Sequence, residues 1–479
     1  MASTFHVEHF GCRAARADGE AVSGRLRAAE FCDASSEAAD VVVVNTCSVT
    51  AEADRAARAF IRRTHRLNPM ARIVVTGCYA QRAPEELAGL NGVAAVVGNS
   101  HKALAPEIIL GLLGCEALHE GNGLIQLQAA TNLERTMSEQ LTPPQVAQVV
   151  WADDRFAHSF LEEAQIVPGA QTRPNLKIQD GCGNRCSFCV IPQTRGPSKS
   201  LLAASVLRQV EGFVAAGGNE LVLSGINLGR WGRDLSDSEG AGRPTLAGLV
   251  QEIFARTSLK RLRLSSIEPM DWDAELVGLM AEFGGKRLAR HAHLPLQSGS
   301  DAVLRRMQRR YRPWHYVEKV ETLRQACGTE LTLGADVMVG FPGETDAEFE
   351  ETMALVRELP FGYLHLFPFS PRPATIGWEL HAERPVSAEA VAERMAVLRV
   401  LAAEKSKMHR RRFVGRELEA ITLHSPGDLE ARGRSAALTE NFLPVELEGR
   451  LEANRLVRVR VTGLNAEGTL EAEVGEKLS

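Results

Sequence analysis

The sequence predicts an α/β protein: an amino-terminal parallel-sheet domain, a run of six βα repeats forming an incomplete barrel, and a small carboxyl-terminal β domain. Three observations carry this prediction. Apolar runs of strand length alternate with helical patterns over most of the chain, as they do in parallel sheets. Aromatic residues make up only 5%, which argues against a mainly all-β sandwich or barrel. A chain of 479 residues that is 44% hydrophobic and 24% charged can bury cores for about three domains, and disorder is excluded as its main state.

Taken in order, residues 6–12, 41–47 and 73–78 read as strands, and 52–67 sets Phe60 and Ile61 among alanines and arginines as a surface helix does. This βαβ pattern defines an amino-terminal domain over 1–114. Ligands of such sheets bind beyond the carboxyl ends of the strands, and Cys12, Cys47 and Cys78 each end one. Over 115–173 Gly121, Gly123, Pro143-Pro144 and Pro168 interrupt the periodicity, so this stretch reads as a linker with some helix. From 174 to 404, strands are expected at 176–179, 220–224, 261–265, 291–296, 333–339 and 363–368, with helices between them. Helical sequence from 388 to about 413 ends in Arg410-Arg411-Arg412, and 405–479 closes the chain as short strands with turns at Pro426-Gly427, Gly449 and Gly463, a small β-barrel.

With 55 basic against 60 acidic residues the formal charge is -5, so any nucleic-acid contact must come from local patches. Two are present. Residues 399–416 hold seven basic residues and one acidic, and 286–312 hold eight and one; a solvated helical face is the bland alternative for each. No apolar stretch reaches the ~18 residues of a membrane span. The opening residues lack a signal peptide's basic start and apolar run, so a cytoplasmic protein is expected. Nine cysteines are too few for a disulfide scaffold in a chain of this length.

Three of them stand in Cys182-Gly183-Asn184-Arg185-Cys186-Ser187-Phe188-Cys189, directly after the first strand of the barrel. Three thiolates on one tight loop suit a four-iron cluster whose fourth iron stays open. A structural zinc would want a fourth ligand nearby, and the next histidine downstream is His291. Cys32, Cys115 and Cys327 fit no motif and read as small buried hydrophobes.

The C-x3-C-x2-C spacing after a strand resembles the radical S-adenosylmethionine signature, with Phe188 as the aromatic before the last cysteine. The resemblance implies S-adenosylmethionine contacts at Gly217, Gly218 and Glu220, at Ser265 and Glu268, and at Val339 near the adenine. Joined to Phe10-Gly11-Cys12, Asn45-Thr46-Cys47-Ser48-Val49-Thr50 and Thr76-Gly77-Cys78-Tyr79-Ala80-Gln81, it sharpens to the methylthiotransferase family. His293-Leu294-Pro295-Leu296-Gln297-Ser298-Gly299-Ser300 and Val339-Gly340-Phe341-Pro342-Gly343-Glu344-Thr345 are similar to that family's core motifs.

Membership implies two four-iron clusters, one on Cys182, Cys186 and Cys189 that generates a 5′-deoxyadenosyl radical and one on Cys12, Cys47 and Cys78 that carries the sulfur to be inserted. It also implies a radical route, because a strong adenine C–H bond has no acid–base path at neutral pH. The carboxyl-terminal domain resembles the TRAM-type RNA-binding barrel of tRNA-modifying enzymes. The motifs around Cys47 and Cys78 are most similar to the group acting on threonylcarbamoyladenosine beside the tRNA anticodon. Isopentenyladenosine in tRNA and a ribosomal-protein aspartate are the alternative substrates, and an RNA-binding protein with structural metal sites is the non-enzymatic alternative. The resemblance leaves open the sulfur source and whether a flavodoxin-like or ferredoxin-like protein donates electrons.

Overall fold

The computed structural model describes residues 3–11, 13–112, 149–156, 172–236 and 243–477. Cys12 and Cys115 lie outside the described residues. The chain forms two compact units, Met1–Phe160 with Gln193–Gly196, and Leu161–Pro192 with Pro197–Ser479.

The first unit is a parallel six-stranded sheet in the order β2-β1-β3-β4-β5-β6. Its strands are β1 (Thr4–His9), β2 (Cys32–Asp33), β3 (Val41–Thr46), β4 (Arg72–Gly77), β5 (Val93–Gly98) and β6 (Val149–Trp151). The valine run of β3 is buried on both faces, as a central parallel strand must be. Val41 and Val43 pack with Phe5, Val22, Leu26 and Ile109. Val42 and Val44 pack on the other side with Ala57, Ile61, Tyr79 and Leu87. The helix Ala51–Leu67 starts at Thr50, whose hydroxyl accepts from the Ala53 amide at 3.3 Å. The strands stop short of the cysteines: Gly11 and Gly77 adopt φ of +111° and +100°, which ends extended pairing, and Cys78 opens the short helix Cys78–Arg82. Val149–Trp151 falls in the stretch read as a linker, yet it pairs with β5 as the edge strand, because its register with Ala95–Val97 completes that strand's ladder.

The second unit carries the incomplete barrel. β7 (Asn175–Asp180), β9 (Glu220–Gly225) and β10 (Arg261–Leu264) run parallel, with the short β8 (Lys199–Ser200) antiparallel on β7. β11 (His291–His293), β12 (Thr332–Val339) and β13 (Phe361–Pro368) form a second parallel group. Backbone bonds from Leu262 to Arg287 and from Ile267 to His293 carry β10 over to β11. The strands alternate. Leu176, Ile178, Leu221, Leu223, Leu262, Leu264, Leu333, Ala335 and Val337 join one core with the surrounding helices. The opposite, concave face receives Lys177, Gln179, Glu220, Arg263, His293 and Asp336.

The helix Ala388–Arg411 runs through the boundary expected at 404 and leads into a closed five-stranded barrel. Its strands are β14 (Glu417–Thr422), β15 (Arg434–Thr439), β16 (Pro444–Glu448), β17 (Leu456–Leu464) and β18 (Leu470–Lys477), closing in the order β14-β15-β16-β18-β17. It is filled by Phe413, Leu418, Leu447, Val459 and Leu470. This small barrel covers the amino-terminal ends of the barrel strands. Asn219 and Asn454 bond each other's neighbourhoods at 2.8 and 2.9 Å, and Phe442 stacks on His291 with ring centroids 4.2 Å apart.

Candidate functional site

Two cysteine sites can be built from the residues upward, one in each unit. In the first unit, Thr46 and Gly77 pair directly across β3 and β4, so Cys47 and Cys78, each the next residue, lie side by side at the carboxyl edge. β1 pairs His9 with Asn45, and the Phe10 amide bonds the Asn45 carbonyl, which brings Gly11 onto Cys47. A methyl group on Gly11 would overlap the Cys47 side chain, its Sγ standing 2.6 Å from the added carbon, so only glycine fits this approach. Cys78 is buried, and its sulfur accepts from Arg195 Nε at 3.2 Å and Asn99 Nδ2 at 3.4 Å. Arg195 is itself buried and paired with Asp18 at 3.0 Å. N–H donors aimed at thiol sulfurs suit thiolates bound to metal, since they stabilise charge on sulfur.

In the second unit the cysteine loop leaves the carboxyl end of β7 through Gly181, at φ +68°. The Gln179 carboxamide holds its root: Nε2 donates to the carbonyls of Asp180 and Gly181, while Oε1 accepts from the Asn227 amide at 2.7 Å. Asn227 in turn directs Nδ2 at Cys182 Sγ, 3.6 Å away. Ser187 ties the loop to the Arg306 and Met307 carbonyls, and the Gly377 amide donates to the Ser187 carbonyl. A methyl on Gly377 would press on Ser187 O and Phe188 Cα at 3.1 and 3.2 Å, which fixes Phe188 against that turn. Arg309 bridges Cys186 Sγ, at 3.2 Å, and the Glu268 carboxylate. Burial pushes the Cys186 thiol up, against the pull of Arg309, and pushes Cys189 up to about 12. Metal binding would release those protons.

Buried polar atoms without a hydrogen-bond partner around the mouth of the barrel include four acceptor oxygens, Asn227 Oδ1, Ser265 Oγ, Gln297 Oε1 and Ser300 Oγ. Buried polar groups are ordinarily satisfied, so four orphans at one end call for a polar ligand. Gln297 also sits at φ +63°, a left-handed conformation uncommon for a residue with a side chain. S-adenosylmethionine, with its amine, carboxylate, ribose and adenine, is chemically suited to such a set.

Of the expected cofactor contacts, Phe188, Ser265, Glu268 and Val339 stand at this carboxyl mouth, Val339 as the last residue of β12. Gly217, Gly218 and Glu220 do not. They precede β9 or open it, at the opposite end from the cysteines, where Glu220 is fully buried and pairs with Arg263 at 3.1 Å and Arg261 at 3.4 Å. The β9 loop instead brings Gly225 and Asn227 to the mouth. The Gly340-to-Thr345 motif is structural: Glu344 accepts from the Gly340 amide and from Arg394, both at 2.8 Å, and pins the turn.

Sequence reasoning missed Arg195, Arg309, Asn99 and Asn227. Arg309 belongs to the basic run 286–312, much of which is bonded within the unit, Lys286 and Arg287 to backbone carbonyls and others to carboxylates. Arg290 meets Glu440 and Glu330, Arg306 meets Glu348, Arg310 meets Asp271, and Arg305 and Arg312 meet Asp301. The 399–416 run keeps Lys407, Arg411, Arg412 and Arg416 exposed, while Lys405 and Arg410 donate to the Arg357 and Gly468 carbonyls. Among the described residues no helix is long and apolar enough to cross a membrane.

Residues 4–98 match the family described as "Uncharacterized protein family UPF0004", and residues 176–356 match the radical SAM superfamily. The chain is 32% identical over 462 residues to the threonylcarbamoyladenosine tRNA methylthiotransferase MtaB of Bacillus subtilis, covering 95% of this chain and 93% of that protein. The MtaB protein of Aquifex aeolicus is 32% identical over 456 residues, covering 95% and 99%. A tRNA-2-methylthio-N(6)-dimethylallyladenosine synthase of Parafrankia sp. is 31% identical over 468 residues, covering 97% and 84%. Among solved structures, the radical S-adenosylmethionine methyltransferase TsrM of Kitasatospora setae, with cobalamin and a [4Fe-4S] cluster bound, shares the fold: TM-score 0.51 at 16% identity over 80% of this chain and 78% of that one.

Proposed function

The chain belongs to the radical S-adenosylmethionine tRNA methylthiotransferases, enzymes that use S-adenosylmethionine and [4Fe–4S] clusters, and we propose that its substrate is N6-threonylcarbamoyladenosine at tRNA position 37, beside the anticodon, which it converts to the 2-methylthio derivative. The observation that carries this reading is the pair of motifs around Cys47 and Cys78, held within a full-length likeness to proteins of that name. The division of labour we assign is an auxiliary-cluster domain over 1–114, a core over 174–404 and an RNA-binding barrel over 405–479.

Cys182, Cys186 and Cys189 would hold one cluster and Cys12, Cys47 and Cys78 the other. When bound, the two supply the 5′-deoxyadenosyl radical and the sulfur to be inserted, with a second S-adenosylmethionine as methyl donor. The protein's own residues supply positioning and electrostatics. Arg309 and Asn227 donate to the Cys186 and Cys182 sulfurs, as Arg195 and Asn99 donate to Cys78. Ser265, Gln297 and Ser300 offer unsatisfied polar atoms to the cofactor and substrate. The exposed Lys407, Arg411, Arg412 and Arg416 are suited to tRNA phosphates.

The test is nucleoside analysis of tRNA from cells lacking the protein. Loss of 2-methylthio-N6-threonylcarbamoyladenosine, with its unthiolated precursor retained, is the expected result. Loss of the isopentenyl counterpart, or of a methylthio group on a ribosomal-protein aspartate, would assign the substrate elsewhere in the family.

A further inference from the structure

On the concave face of the second unit, β11, β12 and β13 present His293, Asp336 and His365 to one another. His293 Nε2 lies 3.1 Å and His365 Nδ1 3.3 Å from the same Asp336 oxygen. Asp336 and His365 are direct cross-strand partners, and His293 pairs with Gly334 on the same face. Behind them the Tyr363 hydroxyl is shared between His293 Nδ1, at 2.9 Å, and His291 Nε2, at 2.8 Å. The cluster lies three residues below Val339, or ~10 Å from the carboxyl mouth, and the Gln297 amide donates to the Asp336 carbonyl at 2.7 Å. It grades from closed to open: the side chains are 8% exposed at His293, 22% at Asp336 and 56% at His365.

An ionised carboxylate here costs free energy unless it is paired. The two imidazoles do that, holding the Asp336 carboxyl well below the usual carboxylate range although burial alone would raise it. With Nδ1 committed to Asp336, His365 is left with Nε2 for a further partner. Neutral, that nitrogen accepts from an N–H or O–H; protonated, it donates to an oxyanion. A threonylcarbamoyl group carries ureido N–H groups, a hydroxyl and a carboxylate, so it supplies a partner in either state. A dimethylallyl group supplies none in either, and would strip water from the histidine and carboxylate without replacing it.

We propose that His293, Asp336 and His365 form the receptor for the polar group on N6 of the substrate adenosine, and that this receptor selects threonylcarbamoyl over an apolar N6 chain. The proposal rests on the substrate reading above. A site built to hydrogen-bond a substrate group rejects an analogue lacking it far more strongly than an apolar pocket rejects an extra methylene. The three ligating atoms also lie within 4.8 Å of one another, close enough for a divalent cation, and the test separates that possibility.

The experiment compares kcat/KM on tRNA bearing threonylcarbamoyladenosine and on tRNA bearing isopentenyladenosine, for the wild type, His365→Phe and Asp336→Asn. Iron content and unfolding midpoint serve as folding controls. His365→Phe is expected to fold normally because its side chain is largely exposed, and Asp336→Asn keeps the size of the original. In both, kcat/KM on the threonylcarbamoyl substrate should fall about 10- to 100-fold, the range for losing a hydrogen bond to a charged group, without a matching fall on the isopentenyl substrate. A ratio of the two substrates within about twofold of wild type would overturn the receptor while leaving the substrate reading intact. A wild-type enzyme that prefers the isopentenyl substrate would overturn both. Stoichiometric zinc or manganese retained by the wild type and lost in His365→Phe would replace the receptor with a metal site.

Discussion

Replacing Glu220 by Gln tests whether that carboxylate is a structural counter-ion or a cofactor contact. Glu220 is fully buried, with Arg263 at 3.1 Å, Arg261 at 3.4 Å and Arg173 at 3.7 Å. At an effective dielectric of about 20, each of the two nearer pairs contributes roughly 5 kcal/mol of attraction before desolvation is counted. Gln keeps the shape and an acceptor oxygen but removes the charge. Arg261 retains Glu419 at 3.1 Å, whereas among the described residues Arg263 retains the Thr439 carbonyl at 3.2 Å and the ring of Phe442 but no carboxylate, so the uncompensated charge falls chiefly on Arg263. Breaking a buried pair from one side costs about 3–5 kcal/mol, and the lower figure fits a variant that keeps its hydrogen-bond acceptor. For a unit of this size that lowers the thermal midpoint by roughly 4–5 °C, read by calorimetry on the transition of the second unit. Burial raises the Glu220 pKa, but Arg263, Arg261 and Arg173 together bring it below the ordinary value. Its contribution is therefore present above the unfolded pKa of about 4.3 and is lost as pH falls through the depressed folded value. Because Glu220 opens β9 at the end away from the cysteines, 5′-deoxyadenosine formation per folded molecule should match wild type. A loss below about 0.5 kcal/mol, or cofactor cleavage abolished in a variant of normal stability, would refute this reasoning.

Three further outcomes follow from the cysteine sites, the Gly11 approach and the helix that enters the small barrel. Anaerobically reconstituted protein should hold about eight irons; replacing Cys182, Cys186 and Cys189 by Ala should leave about four and end 5′-deoxyadenosine formation, while replacing Cys47 and Cys78 should leave about four with cleavage still detectable. Gly11→Ala should cost at least about 1–2 kcal/mol from its φ of +111° alone and should lower iron toward four, as measured by iron analysis and thermal unfolding, because the added carbon enters the Cys47 side chain. His409 bonds Thr332 Oγ1 at 2.9 Å, and burial with Arg412 and Arg410 pushes its pKa down to about 4. The unfolded chain then binds the extra proton first, so stability of the second unit should fall as pH drops from about 6.5 toward 4, and His409→Gln should flatten that part of a stability-against-pH curve.

What was legible in the sequence was local. The valine run 41–44 is continuous because β3 is covered on both faces, and the cysteine loop declares its ligand spacing within eight residues. The parallel sheet, the six barrel strands and the closing β-barrel follow from the same short-range periodicity. The tertiary structure alone decided which end of each element meets the site. Glycines stand near both ends of β9, and only the strand's direction in the sheet shows that Asn227 meets Cys182 while Glu220 lies under Arg263. The ion pairs inside the basic run 286–312 were not legible because the counter-ions Glu348 and Glu440 lie 42 and 150 residues away from Arg306 and Arg290. His293, Asp336 and His365 likewise come from three separate strands, and no window of sequence contains all three. Periodicity records which face of an element is buried; charge pairing and convergence are properties of contacts between elements, and those form only when the chain closes on itself.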